Sequence, residues 1–143
     1  MAYVDLHCHL LAAIDDGVKT IEDGIFVAKS LRAIGFTTIV ATPHIRSGVY
    51  DNRREGIERS HHELTERLAA EGEAAPLLRF AAEHWIDDTF VRLLEGAETV
   101  PYAGGKTILV EFPHQNIPLR VEQLLFQMRV KGIRPILAHP ARY

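Results

Sequence analysis

Five short apolar runs, separated by helix-length segments, constrain this chain more than any other feature. They are Tyr3–Leu6, Thr37–Pro43, Leu77–Ala82, Thr107–Val110 and Ile133–Ala138. Runs this short read as buried strands. Joining them through helical segments of roughly 10 to 20 residues requires crossover connections, which argue for a parallel sheet covered by helices. Each run ends in residues that metals or phosphates favour: His7 and His9, then His44, Glu83, Glu111, and finally His139 with Arg142 three residues on. Ligands of parallel α/β sheets bind at the carboxyl ends of the strands. The pattern therefore places all these groups at one end of one sheet. A hydrophobic core does not require that arrangement, whereas a polynuclear metal site does.

The intervening segments carry helical periods and stops. Thr20 with Asp23 three residues later forms a loose capping box, followed by Ile21, Ile25, Ala28, Leu31 and Ile34 at helical spacing and Gly35 as a left-handed stop. A second helix is expected from about Asn52 to Ala70, with Ile57, His61, Leu64 and Leu68 on one stripe. A third runs from Asp87 to Leu94, ended by Gly96, and a fourth from Pro118 to Lys131, stopped by Gly132. The resulting order is β-α-β-α-β-α-β-α-β, without repeat, low-complexity segment or linker. The expectation is a single domain over residues 1–143.

Composition narrows the class of partner. The 143 residues suffice for one core, and 47% hydrophobic and 24% charged residues are ordinary for a globular protein. A formal charge of -3 gives no electrostatic case for nucleic acid or an anionic membrane surface. No apolar stretch reaches the roughly 18 residues that span a bilayer, and Asp5 and His7 come too early for a signal peptide. The single cysteine, Cys8, excludes an intrachain disulfide and fits a reducing compartment. Strand alternation points it away from His7 and His9, as a buried, inert thiol. A cytoplasmic protein, with no membrane insertion and no nucleic-acid partner, is expected.

The chemistry of the strand-end residues is specific as a set. His7-x-His9 places two imidazoles on one side of a strand, and the Asp15-Asp16-Gly17 loop follows. Glu83 and Glu111 are carboxylates of the kind that bridge two cations about 3.5–4 Å apart. Mixed imidazole and carboxylate donors suit Zn, Mn or Fe. Arg142 offers a planar fork that matches phosphate oxygens. Taken singly, each has a bland reading: the aspartates as a turn, His44 as a helix-entry residue, His139-Pro140 as a strand terminus, and Glu111 as a solvated strand end. Their shared position favours the site. Other residues fall on the bland side. His61 reads as a satisfied core or interface histidine, His62 as solvated, and His84 as facing away from the mouth. Trp85 and Tyr50 read as ordinary packing ahead of stacking on an aromatic substrate. His114 and Gln115 are weaker pocket candidates.

Asp5-Leu-His-Cys-His9 with Ile14-Asp-Asp-Gly17, Ala41-Thr-Pro-His44, Ala82-Glu83, Leu109-Val-Glu-Phe-Pro113 and Leu137-Ala-His-Pro-Ala-Arg-Tyr143 together resemble the motifs of the PHP (polymerase and histidinol phosphatase) superfamily. The combination is most similar to its CpsB/YwqE branch, bacterial manganese-dependent protein tyrosine phosphatases of capsule and exopolysaccharide operons. The resemblance implies an α/β fold of PHP type, a distorted (βα) TIM-like barrel. Here it would be a partial barrel of about five parallel strands with helices outside. It implies His7 and His9 as ligands of one metal, with Glu83 bridging to a second. Glu111 and His139 would complete the second, and Asp16 and His44 would bind a third. Arg142 would hold the substrate phosphate. Two or three Mn²⁺ ions, with Fe or Zn as variants, would activate hydroxide for attack on phosphotyrosine in the tail of a bacterial tyrosine kinase.

The chain departs from the family at two places. Leu11-Ala12-Ala13 replaces the usual Leu-Pro-Gly, and the late Ser-Asp-Ala-His segment, which supplies two further ligands, is absent. Five strands cannot close the family's barrel, so an unpaired edge, a fragment or a homo-oligomer is expected. A phosphoesterase acting on a small molecule such as histidinol phosphate, and a truncated non-catalytic metal-binding module, are the competing functional readings. A polymerase-associated domain is a more distant one.

Overall fold

The computed structural model describes residues 2–72, 74–113 and 119–143. In chain order the elements are β1 (Tyr3–Cys8), α1 (Ile21–Ala33), β2 (Phe36–Ala41), β3 (His44–Ile45), α2 (Arg54–Ala70), β4 (Leu77–Phe80), β5 (Glu83–Trp85), α3 (Asp88–Glu95), β6 (Thr107–Glu111), α4 (Val121–Val130) and β7 (Arg134–Leu137). A 3₁₀ turn over Pro140–Arg142 follows. The chain forms two compact units. The first comprises Met1–Pro43 and Asn52–Phe80, and the second His44–Asp51 and Ala81–Tyr143.

In the first unit, β1, β2 and β4 make a parallel sheet with β2 in the middle. Both crossovers are helical, and α1 packs on β2 and on α2, which in turn covers β4. Thr20 caps α1 as expected: its hydroxyl accepts from the Asp23 N–H while the Asp23 carboxylate accepts from the Thr20 N–H. The left-handed stop falls at Gly35, with φ 108°. Ile25 and Ala28 from α1 are buried, as are Ile57, Leu64 and Leu68 from α2, with Ile39 and Leu78 beneath them in the sheet. His61 is half-buried against Phe80, and burial lowers its pKa. His62 is exposed and faces Glu66 one turn on. Tyr3, Val4 and Leu6 on the edge strand β1 are exposed.

In the second unit, β3, β5, β6 and β7 pair in parallel in that order. Phe90 and Leu94 of α3, Met128 of α4, and Ile86, Ile108, Val110 and Phe112 form its core. The Asp87 carboxylate caps α3 by accepting from the Phe90 N–H at 2.8 Å. Gly96 closes that helix in a right-handed conformation and Ala97 takes the positive φ of 56°. His84 is fully buried and, by strand alternation, faces away from Glu83 beside it in sequence. Its Nδ1 donates to the Leu109 carbonyl at 3.1 Å and its Nε2 accepts the Val100 N–H at 3.1 Å. Desolvation holds its pKa at about 4. The expected start of the fourth helix at Pro118 lies outside the described residues, as do His114 and Gln115.

Among the described residues, the single sheet of five strands is corrected to two open parallel sheets of three and four strands. Two runs that read as continuous are each broken in the middle. β2 ends at Ala41, and Pro43, which has no N–H to give a ladder, separates it from β3. β4 ends at Phe80, and the Ala82 N–H bonds the Val100 carbonyl before β5 begins. Consequently His44 and Glu83 open β3 and β5, whereas Glu111 closes β6 and His139 follows β7.

Two small substitutions differ in sign. A Cβ on Gly24 would sit 2.6 Å from the Leu10 carbonyl oxygen. Gly24→Ala should therefore destabilise by about 1–3 kcal/mol, although alanine is normally the better helix former. Ala13 holds φ at 58°, so Ala13→Gly should stabilise by up to about 1 kcal/mol once glycine's entropy is offset. Urea unfolding of both variants checks the pair. The His84 pKa lies below the ordinary histidine value, so the unfolded chain takes up a proton more readily. Its contribution is complete above pH 6.5 and is lost as pH falls toward 4. Metal-free protein should lose roughly 3 kcal/mol more between pH 7 and 4 than His84→Gln, whose amide can keep both bonds. Parallel stability curves would contradict this.

Candidate functional site

In the first unit the site residues follow directly from β1. The Nε2 atoms of His7 and His9 converge to 3.1 Å. Two nitrogens each about 2.1 Å from one ion would lie roughly 3.0–3.4 Å apart in octahedral or tetrahedral geometry, so this pair is already spaced to chelate. His9 Nδ1 is held by Asp15 Oδ2 at 2.7 Å, and the Asp15 side chain is wholly buried. That contact places the imidazole proton on Nδ1 and leaves Nε2 as the donor atom for a cation. Asp15 is itself fixed by the Gly17 N–H at 2.9 Å. A Cβ at Gly17 would collide with the His9 carbonyl and side chain, so the loop closes this tightly only with glycine.

Asp16, the carboxylate singled out from the sequence, is 61% exposed and lies 4.0 Å from His9 Nδ1. Asp15 was missed as an orienting residue because a buried and a solvated aspartate look alike within Asp-Asp-Gly. Cys8 is half-buried. Burial first, then the nearby Asp5 carboxylate, raises its pKa to about 12, which makes it a poor thiolate ligand.

In the second unit four more residues converge. Glu83 is 0% exposed and Glu111 2%. His44 Nδ1 lies 3.5 Å from Glu83 Oε2 and 3.7 Å from Glu111 Oε2, and His139 Nε2 lies 3.1 Å from Glu83 Oε1. The two His44 distances exceed hydrogen-bonding range, but they suit donors that share a cation. His44, Glu83 and Glu111 offer ligand atoms all within 4.8 Å of one another. Burying two carboxylates together is costly without positive charge between them, and a mixed imidazole and carboxylate set fits Mn, Fe or Zn. The residues present therefore fit a divalent ion.

Backbone geometry supports the same site. His139 has φ 47° and ψ 48°, a left-handed conformation rare outside glycine and asparagine, immediately before Pro140. Arg142 Nη1 is 3.3 Å from Glu111 Oε1, with its side chain about half exposed. The Tyr143 hydroxyl donates to the Phe112 carbonyl and accepts the Phe112 N–H, both at 3.2 Å. This ties the segment that carries Arg142 to the end of β6. Tyr50 stacks on His44, with ring centroids 5.5 Å apart.

Comparison with known proteins matches residues 3–143 to the family described as "Capsular polysaccharide synthesis, CpsB/CapC". The tyrosine-protein phosphatase YwqE of Bacillus subtilis is 35% identical over 144 residues, covering 97% of this chain and 54% of its own. The putative tyrosine-protein phosphatase CapC of Staphylococcus aureus is 32% identical over 139 residues, again covering 97% and 54%. A crystal structure from work on YwqE and on CpsB of Streptococcus pneumoniae, described as unique metal-dependent tyrosine phosphatases, superposes with a TM-score of 0.90. It has 34% identity over 98% of this chain and 56% of the other. The chain spans about half the length of these relatives. It belongs to the CpsB/CapC family of capsular polysaccharide synthesis.

Proposed function

We propose that this chain is the metal-binding and phosphate-binding portion of a manganese-dependent protein tyrosine phosphatase, with both units forming part of one PHP-type barrel domain. The observation that carries this reading is the pair of buried carboxylates, Glu83 and Glu111, facing His44 and His139 with Arg142 at their edge. His7, His9 and Asp16 of the first unit, and His44, Glu83, Glu111 and His139 of the second, serve as ligands of two or three ions in this reading. When bound, those ions supply Lewis acidity and an activated water for in-line attack on phosphorus. Arg142 turns its fork from Glu111 to the phosphoryl oxygens. Tyr143 holds the backbone on either side of that exchange, and Asp15 keeps the His9 ring in its ligating tautomer. The relatives' names support phosphotyrosine in a capsule-system protein as the substrate, the tail of a cytoplasmic tyrosine kinase in this reading. Among the described residues no helix is long and apolar enough to cross a membrane.

Manganese-loaded protein should release phosphate from a phosphotyrosyl peptide faster than from histidinol phosphate, and a chelator should abolish the activity. Arg142→Gln should lower kcat/KM by roughly a hundredfold while bound manganese stays constant. Glu83→Gln should lower the manganese content itself, measured by elemental analysis. A preference for histidinol phosphate would sink the tyrosine assignment. Full metal content without turnover of either substrate would mark the chain as a metal-binding module.

A further inference from the structure

The register of the second sheet sets a second cation beside the candidate metal centre. Glu83 pairs with His44 on one side and Leu109 on the other, and Trp85 pairs with Glu111. By strand alternation, His44, Glu83, Trp85 and Glu111 share one face. Arg46, two residues past His44, joins them, with its guanidinium carbon 3.9 Å from the Trp85 ring centre. The face therefore carries a row of Arg46, Trp85 and Glu111, with Arg142 at its far end.

Arg46 is held from two sides. Its N–H donates to the Tyr50 carbonyl at 3.0 Å, and its own carbonyl accepts from Tyr50 at 2.8 Å and Val49 at 3.1 Å. The turn between them passes through Gly48 at φ 74°, whose N–H donates to the Asp51 carboxylate. Lying over an indole, a guanidinium keeps its position and directs its N–H edges sideways. Arg142 already has a carboxylate, whereas no carboxylate pairs with Arg46 among the described residues. An oriented guanidinium without a counter-ion, on the face of a phosphate site, is suited to an incoming anion.

That anion is not the phosphoryl group held by Arg142. Arg46, just past the end of β3, and Glu111 on β6 stand two strands apart, roughly 10 Å at the usual spacing, a wider span than one phosphate bridges. An extended peptide covers that distance in about three residues. We propose that Arg46, seated on Trp85, binds an acidic side chain two or three residues from the phosphotyrosine of a protein substrate. The proposal rests on the phosphotyrosine reading and makes Arg46 a specificity-determining residue.

Trp85 is the only tryptophan in the chain, so its emission reports on this position directly. The metal-loaded full chain would be titrated with peptides carrying a non-hydrolysable phosphonate in place of phosphotyrosine. Flanking glutamates or glutamines would occupy the second and third positions on either side. The glutamate peptide should bind roughly tenfold tighter and alter Trp85 emission. Arg46→Gln should erase that preference without changing affinity for the glutamine peptide, and Arg46→Lys should keep part of it. Equal affinities in the wild type, or equal losses for both peptides in Arg46→Gln, would overturn the proposal. So would an emission change with inorganic phosphate alone that depends on Arg46. Unphosphorylated counterparts separate the two ideas: if they bind as well as the phosphonates, the phosphotyrosine reading fails. The glutamate-over-glutamine comparison still judges Arg46.

Discussion

A pair of buried carboxyl groups is the constraint on which the second unit depends. Glu83 and Glu111 are both removed from water on neighbouring strands of one sheet, and neither can be moved without exposing or stranding a carboxylate. A one-residue slip between β5 and β6 would send Trp85 and Glu83 to the opposite face. His84 opposes that slip, because its two ring nitrogens bond Leu109 on β6 and Val100 in the preceding loop. The neutral histidine behind the sheet thus fixes the register of the acidic residues in front of it. Folding and the chemistry of the site share this contact.

Much of this was readable from the residues. The capping box at Thr20, the stop at Gly35 and the buried stripe of Ile57, Leu64 and Leu68 are local signals with local causes, and they fall where expected. The metal and phosphate candidates His44, Glu83, Glu111, His139 and Arg142 do converge in the second unit. What the residues concealed is non-local. Thr42-Pro43 and Ala81-Ala82 look like strand interior because they are small or apolar. Only the choice of pairing partner shows that the ladder breaks there and restarts in another sheet. Arg46 and Asp15 were hidden for a related reason: their roles come from Trp85 and His9, contacts that spacing alone does not specify.

The two units orient their candidate residues by different means. In the first unit one buried aspartate aims one imidazole, and a glycine admits the loop that carries it. In the second, the strand ladder aims His44, Glu83 and Glu111, while a strained backbone at His139 and a tyrosine hydroxyl hold the final segment. Orientation by hydrogen bond tolerates little substitution at a single residue. Orientation by ladder spreads the load across a sheet.

The contact between Arg142 and Glu111 has a thermodynamic consequence. The guanidinium and any cation at the carboxylates draw on the same negative charge. An anion that engages Arg142 returns that charge to Glu111, and a cation that engages Glu111 releases Arg142. Affinity for one must therefore rise when the other is present, by the same factor in both directions. In the proposed reading, a phosphoryl anion at Arg142 and a cation at Glu111 would in that sense each favour the other's binding.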